Sequence, residues 1–180
     1  MLNDIRSVHF VGIGGTAMAS AAAAMQERGF QVTGSDQNVY PPMSTFLAER
    51  RVEVRAGYTE ANLAHRPDLV VIGNAISRGN PEAEAVLERK LRYCSPPELL
   101  KEFFIRGKRA LVVAGTRGKT TTTSLLAWVF EHSGGNPSYL IGGIPNNLGQ
   151  GARFTDSEWF IIARATYCAA VATGHLHCRA

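Results

Sequence analysis

The sequence predicts an α/β protein: a Rossmann-like parallel-sheet N-terminal domain followed by the start of a P-loop-like α/β domain. Three observations carry that prediction. Short apolar runs alternate with helical patterns from residue 7 onward, as parallel strands joined by covering helices do. Two glycine-rich loops, Gly12–Ala17 and Gly115–Thr121, each stand between a strand pattern and a helix pattern. Between them the stretch Ile105-Arg106-Gly107-Lys108-Arg109 interrupts the apolar pattern, which divides the chain into domains 1–107 and 108–180.

Taken in order, the expected strands are Ser7–Val11, Phe30–Thr33, Val52–Arg55, Leu69–Ile72, Ala110–Ala114, Tyr139–Ile141 and Trp159–Ile162. The expected helices are Ala17–Arg28, Met43–Arg51, Pro81–Lys90, Pro96–Ile105 and Thr120–His132. Asn80 before Pro81 reads as an N-cap with proline at the first helical position. Ser95 with Glu98 reads as a capping box. Gly29 and Gly134 sit where a left-handed cap closes a helix. Alanine-rich Ala17–Ala24 favours helix and permits close packing. Leu125, Leu126, Trp128 and Phe130 are expected on the buried side of the last helix, and Phe103 and Phe104 in core.

Composition narrows the function classes. The 180 residues are 45% hydrophobic and 19% charged, which excludes a disordered tail, a collagen-like chain and a disulfide scaffold. A formal charge of +4, scattered along the chain, makes no case for nucleic acid. No apolar run approaches the ~18–20 residues of a membrane span, and the N-terminus lacks a signal pattern. Cys94, Cys168 and Cys178 form no CxxC pair and fit a reducing compartment. The expectation is a cytoplasmic protein with no membrane or nucleic-acid partner.

Gly12-Ile13-Gly14-Gly15-Thr16-Ala17 is a G-x-G-x-x-A loop. Gly12 permits the tight turn, Gly14 lets backbone approach a pyrophosphate, and Ala17 keeps helix close to strand. Asp36 falls about twenty residues further on, where an acid can hold a ribose hydroxyl. The pattern suits a diphosphate, as in a dinucleotide such as NAD. Gly115-Thr116-Arg117-Gly118-Lys119-Thr120-Thr121 is shorter than a standard Walker A loop, because Val113 stands where its first glycine would be. It still offers an anion nest, with Lys119 to neutralise β- and γ-phosphates and the Thr120 hydroxyl as a magnesium ligand.

GIGGTAM, GSDQNVYPPMSTFL and GTRGKTTTT together resemble the Mur ligases of peptidoglycan synthesis, over residues 5 to about 162. NVYPPMST and the segment Ile72–Pro81 resemble the branch that attaches a murein tripeptide, more than the branch that adds L-alanine. The resemblance implies ATP-dependent amide ligation, in which ATP phosphorylates the carboxylate of UDP-N-acetylmuramate and the peptide amine attacks the acyl phosphate. It implies ATP and Mg2+ as cofactors, with UDP-N-acetylmuramate and the tripeptide as small-molecule partners. Carried over, it places Gly12, Gly14 and Gly15 on the UDP diphosphate and Asp36 near the ribose or uracil. Asn74 and Ala75 would close over the same ligand, with Ser77 and Arg78 as weaker candidates. Gly115, Thr116, Arg117, Gly118, Lys119, Thr120 and Thr121 would take ATP, with Lys119 catalytic and Thr120 on the metal.

The resemblance stops after Ile162. There the family pattern calls for acidic residues to hold magnesium, and this chain reads Ala163-Arg164-Ala165-Thr166-Tyr167-Cys168. Asp156 and Glu158 precede the strand and stand at its wrong end. Residues 163–180 read as a frameshift or fragment end, which would leave this chain inactive in ligation. A zinc site from Cys168, His175, His177 and Cys178 is the alternative, though their spacing matches no standard structural pattern. A non-catalytic UDP-sugar binding module is the competing reading.

Overall fold

The computed structural model describes residues 4–163, and its contacts divide the chain into two units at Pro96/Pro97. In the first unit β1 (Ser7–Val11) leads to α1 (Thr16–Glu27), β2 (Gln31–Asp36), α2 (Met43–Glu49) and β3 (Glu53–Ala56). A 3₁₀ turn (Glu60–Leu63), β4 (Leu69–Ile72), α3 (Pro81–Glu88) and the short β5 (Tyr93–Cys94) complete it. The five strands lie in the order β3-β2-β1-β4-β5, all parallel. This is the order of a mononucleotide-binding half of a Rossmann fold, with its switch point between β1 and β4.

Local chemistry explains the elements. α1 buries every residue from Met18 to Met25, which its run of small alanines allows. The Asn80 side chain accepts from the N–H groups of Glu82 and Ala83 and so caps α3, with Pro81 at the first helical position. β2 continues through Gly34 to Asp36, three residues past its expected end. Gly34 is needed there because a Cβ would stand 2.4 Å from Ile13 Cδ1, and Ile13 is fully buried. Val11, Leu63, Val70, Ala85 and Val86 form one core cluster beside the sheet.

The second unit begins with α4 (Pro96–Leu100), which continues as a π-helical turn over Lys101–Ile105. The contact boundary thus precedes the 105–109 stretch chosen from the sequence, and Phe104 packs on Phe154 with ring centroids 4.2 Å apart. β6 (Arg109–Val113), α5 (Lys119–His132), β7 (Ser138–Leu140), β8 (Ala152–Arg153) and β9 (Trp159–Ala163) follow. Their sheet runs β6-β9-β7-β8, with β8 antiparallel to β7 and the other pairs parallel. Ala127, Tyr139, Ile141 and Ile161 are its core, with Leu111, Leu126, Phe130 and Leu148 packed against it. The expected burial of Leu125 and Trp128 does not hold. α5 turns Thr123, Ala127 and Phe130 toward the sheet, a helical spacing that leaves Leu125, Trp128 and Val129 exposed.

Asp68 ties the start of β1 to β4. Its Oδ2 accepts from the Arg6 N–H, the Ser7 N–H and the Ser7 hydroxyl, each at 2.9 Å. The two backbone donors, with the hydroxyl, hold its carboxyl below the usual carboxylate value. A depressed folded pKa stabilises above the unfolded value of about 3.9 and is lost as pH falls through the folded one. Amide exchange in β1 and β4 should therefore accelerate as pH drops below about 4 in the native chain, after correction for intrinsic rates. Asp68→Asn should be less protected at neutral pH and show a flatter acid limb. Parallel profiles for the two proteins would contradict this role.

Candidate functional site

The switch point between β1 and β4 gathers the first glycine loop and the segment after β4. The N–H groups of Gly12 and Ile13 both donate to the Ser35 carbonyl, at 2.8 and 3.1 Å, which turns the chain sharply off β1. Gly12 has φ +85°, a conformation that favours glycine. Gly73, after β4, donates to the Val11 carbonyl at 2.9 Å, and a Cβ there would meet that oxygen. Ile76 and the Tyr58 hydroxyl border Gly12 from the other side.

Beside this loop lies an open cavity of about 520 Å³, lined by Gln37, Tyr58 and residues 75–81. Ala75 lines it, while Asn74 is exposed on the same segment. The 77–80 turn is braced: Gly79 N–H donates to Glu84 Oε1 at 2.9 Å and Asn80 caps α3. Arg78 stands on this turn, exposed, with no ion-pair partner among the described residues. Ser77 lines the cavity beside it.

Asp36 is placed differently from a simple ribose acceptor. Its Oδ2 accepts the Gly14 N–H at 2.8 Å, and its Oδ1 accepts from the Tyr58 hydroxyl at 3.3 Å. The Gly14 N–H is thus taken by a carboxylate instead of facing a ligand. Gly15, Thr16 and Ala17 have N–H groups with no partner among the described residues, and a Cβ on Gly15 would meet nothing within 4 Å. An anion approaching the start of α1 would meet these donors and the positive end of a twelve-residue helix. Burial, and then the Asp36 charge, push the Tyr58 phenol upward, so it stays protonated and able to donate. Sequence reasoning missed Tyr58 because one tyrosine after Gly57 carries no periodic or motif signal.

In the second unit β6 ends at Val113 and Gly115 opens the other loop. Gly118, at φ +75°, is the N-cap of α5, and the side chains of Thr116, Arg117, Thr120 and Thr121 are exposed around it. The Lys119 ammonium folds back onto the carbonyls of Gly115 and Thr116, at 2.8 and 3.3 Å. Those carbonyls hold the cation over the loop, a position from which it can meet a phosphate. The Gly142-Gly143 turn lies against Thr120, a Cβ on Gly142 falling 3.9 Å from the Thr120 hydroxyl oxygen. Parallel pairing sets Ala163 opposite Val113, so the far end of β9 reaches the root of this loop. Glu158 stands at the opposite end, where it pairs with Arg109 at 3.2 Å.

A magnesium site does not assemble from these groups. Among the described residues no three His, Cys, Asp or Glu side chains converge, and the Thr120 hydroxyl alone cannot satisfy a cation that prefers six oxygens. The position following β9, and Cys168, His175, His177 and Cys178, lie outside the described residues. No helix among the described residues is long and apolar enough to cross a membrane.

Residues 7–108 match the family described as "Mur ligase family, catalytic domain". The UDP-N-acetylmuramate–L-alanyl-γ-D-glutamyl-meso-2,6-diaminoheptandioate ligase of Haemophilus influenzae is 48% identical over 163 residues, 91% of this chain and 36% of that protein. A UDP-N-acetylmuramate–L-alanine ligase of Rhizorhabdus wittichii is 38% identical over 88% of this chain and 33% of its own length. The solved UDP-N-acetylmuramate:L-alanyl-γ-D-glutamyl-meso-diaminopimelate ligase of Neisseria meningitides superposes with a TM-score of 0.83 at 43% identity, covering 88% of this chain and 52% of that one. The chain spans about a third of the length of the curated relatives it matches.

Two substitutions separate the roles of the glycines. Gly14→Ala puts a Cβ 2.9 Å from Asp36 Oδ2 and should break that bond, costing about 1–3 kcal/mol in urea unfolding of the first unit. Gly15→Ala, in open space, should cost less than about 1 kcal/mol. Equal losses would show that Asp36 does not hold the loop.

Proposed function

The chain belongs to the Mur ligase family, and on that premise we propose that its first unit binds UDP-N-acetylmuramate and its second unit the phosphates of ATP. The observation that carries the reading is the glycine loop at the β1/β4 switch point, with three N–H groups unpartnered among the described residues, next to a cavity whose lining residues Ile76 and Tyr58 border Gly12. Ligands of open α/β sheets bind at such a point. Gly12 and Gly14 shape the loop, and Gly15, Thr16 and Ala17 present donors to the diphosphate. Asp36 positions Gly14, and Tyr58 and Gln37 face the nucleoside. Asn74 and Ala75 lie over the same ligand, and Arg78 neutralises a phosphate.

In a longer chain this binding serves ATP-dependent joining of UDP-N-acetylmuramate to L-alanyl-γ-D-glutamyl-meso-diaminopimelate, in peptidoglycan recycling within the cytoplasm. The higher identity to the tripeptide ligases supports that amine over L-alanine. Lys119, with Gly115, Thr116, Arg117, Gly118, Thr120 and Thr121, suits the role of holding ATP and stabilising charge on the transferring phosphoryl group. Mg2+ would supply further charge neutralisation. Among the described residues Thr120 is the one candidate ligand for it.

Calorimetric titration with UDP-N-acetylmuramate tests the reading: saturable binding at one site supports it, and no heat with folded protein overturns it. Arg78→Ala should weaken UDP about tenfold, as expected for the loss of one charge-assisted contact, and leave uridine affinity unchanged. The difference should shrink as salt rises. An equal loss for uridine and UDP would remove Arg78 from the phosphate.

A further inference from the structure

Beneath the switch point lies a buried polar network that the binding reading leaves unused. His9 on β1 and Glu82 at the start of α3 are both fully buried, with His9 Nε2 2.6 Å from Glu82 Oε1. The Ser35 hydroxyl donates to the same oxygen at 2.9 Å, and the Asn62 amide donates to Oε2 at 2.9 Å. The Asn62 amide NH₂ can only donate, and the Ser35 hydroxyl donates to Glu82 alone among the described residues. Glu82 thus accepts from Ser35 and Asn62 and shares its Oε1 with the His9 ring. His9 meets Glu82 through Nε2, and its Nδ1 shares the Thr33 hydroxyl at 2.6 Å, which in turn reaches His65 Nε2 at 3.2 Å.

The placement of these groups gives the network a consequence beyond stability. Ser35 meets Glu82 through its hydroxyl and the glycine loop through its carbonyl, which takes the N–H groups of Gly12 and Ile13. Glu82 is the second residue of α3, directly after the Asn80 cap that ends the 75–81 wall of the cavity. One carboxylate thus ties together the two walls of the proposed site: the glycine loop through Ser35, and the 75–81 segment, which lines the cavity, through the start of α3. Two residues 47 positions apart are held by a single hydrogen bond with no water access.

We propose that Glu82 is a positioning residue for the nucleotide-sugar site, holding the two walls in register through Ser35, with His9 as its buried hydrogen-bond partner. The proposal rests on the binding reading above. Movement of either wall by a bound diphosphate is felt at Glu82 and passed to His9, which no ligand can touch.

The test uses the full chain labelled with ¹⁵N-histidine, with UDP as the probe and the His9 signals assigned by their loss in His9→Gln. The His9 ring ¹⁵N resonances should shift on titration with the same midpoint as calorimetric binding, while those of His132 in the second unit stay still. Ser35→Ala keeps the backbone carbonyl and deletes only the link. It should fold, bind UDP at least about fivefold more weakly, and show no shift at His9 on saturation. Glu82→Gln, which replaces an acceptor with a donor, should weaken binding further if it folds, and Ser35→Ala decides the matter if it does not. A native protein that binds UDP with an unmoved His9 signal overturns this proposal alone, as does a Ser35→Ala protein with native affinity. A folded native protein that binds no UDP overturns the binding reading and this proposal with it.

Discussion

The parallel pairing of β1 with β2 on one side and β4 on the other is the constraint from which the first unit's site follows. Strand order reverses there, so the connections leaving β1 and β4 diverge to opposite faces and open a crevice between them. The register then decides which atoms border it. Val11 pairs with Ser35 and with Ile72, which brings the Ser35 carbonyl under Gly12 and puts Gly73 against the Val11 carbonyl. A slip of one residue would reverse the facing of every side chain in the strand and carry His9 out of the core. Close approach at Gly34 and Gly73 is the steric cost of this arrangement, and neither position has room for a Cβ.

The same logic builds the second loop with different chemistry. β6 and β9 run parallel, so the strand that follows α5 and β7 returns to end beside the glycine loop. The first loop holds a carboxylate, Asp36, on one of its own N–H groups, whereas the second holds an ammonium, Lys119, on its carbonyls. That difference fits the two ligands proposed. A diphosphate already bearing a sugar needs shape and a few N–H donors, and a transferring phosphoryl group needs a cation.

Much of this was legible in the sequence, for identifiable reasons. β1 and β4 were visible with their observed ends because apolar runs bounded by turn residues are strong local signals. The α3 cap was visible because Asn-Pro at a helix start has one chemical meaning. β5 and β8, of two residues each, have no period to read. β2 looked shorter than it is because Gly34 reads as a breaker, and only the position of Ile13 shows why glycine is needed there. The outward face of α5 was misjudged because Leu125 and Trp128 are apolar and the neighbours that decide burial are distant in sequence. The His9–Glu82 bond joins residues 73 positions apart and leaves no local trace at all. Spacing singles out Asp36 as a candidate but not its bond to Gly14, since spacing says nothing of where a carboxylate points.

The central claim is that the β1/β4 crevice holds the nucleotide sugar. The most direct measurement is a backbone amide chemical-shift map of the chain titrated with UDP-N-acetylmuramate. Changes are expected to centre on residues 9, 12–17, 35–38, 58 and 73–82, with the 115–121 loop undisturbed. Changes centred on the 115–121 loop, or spread without focus over both sheets, would contradict it.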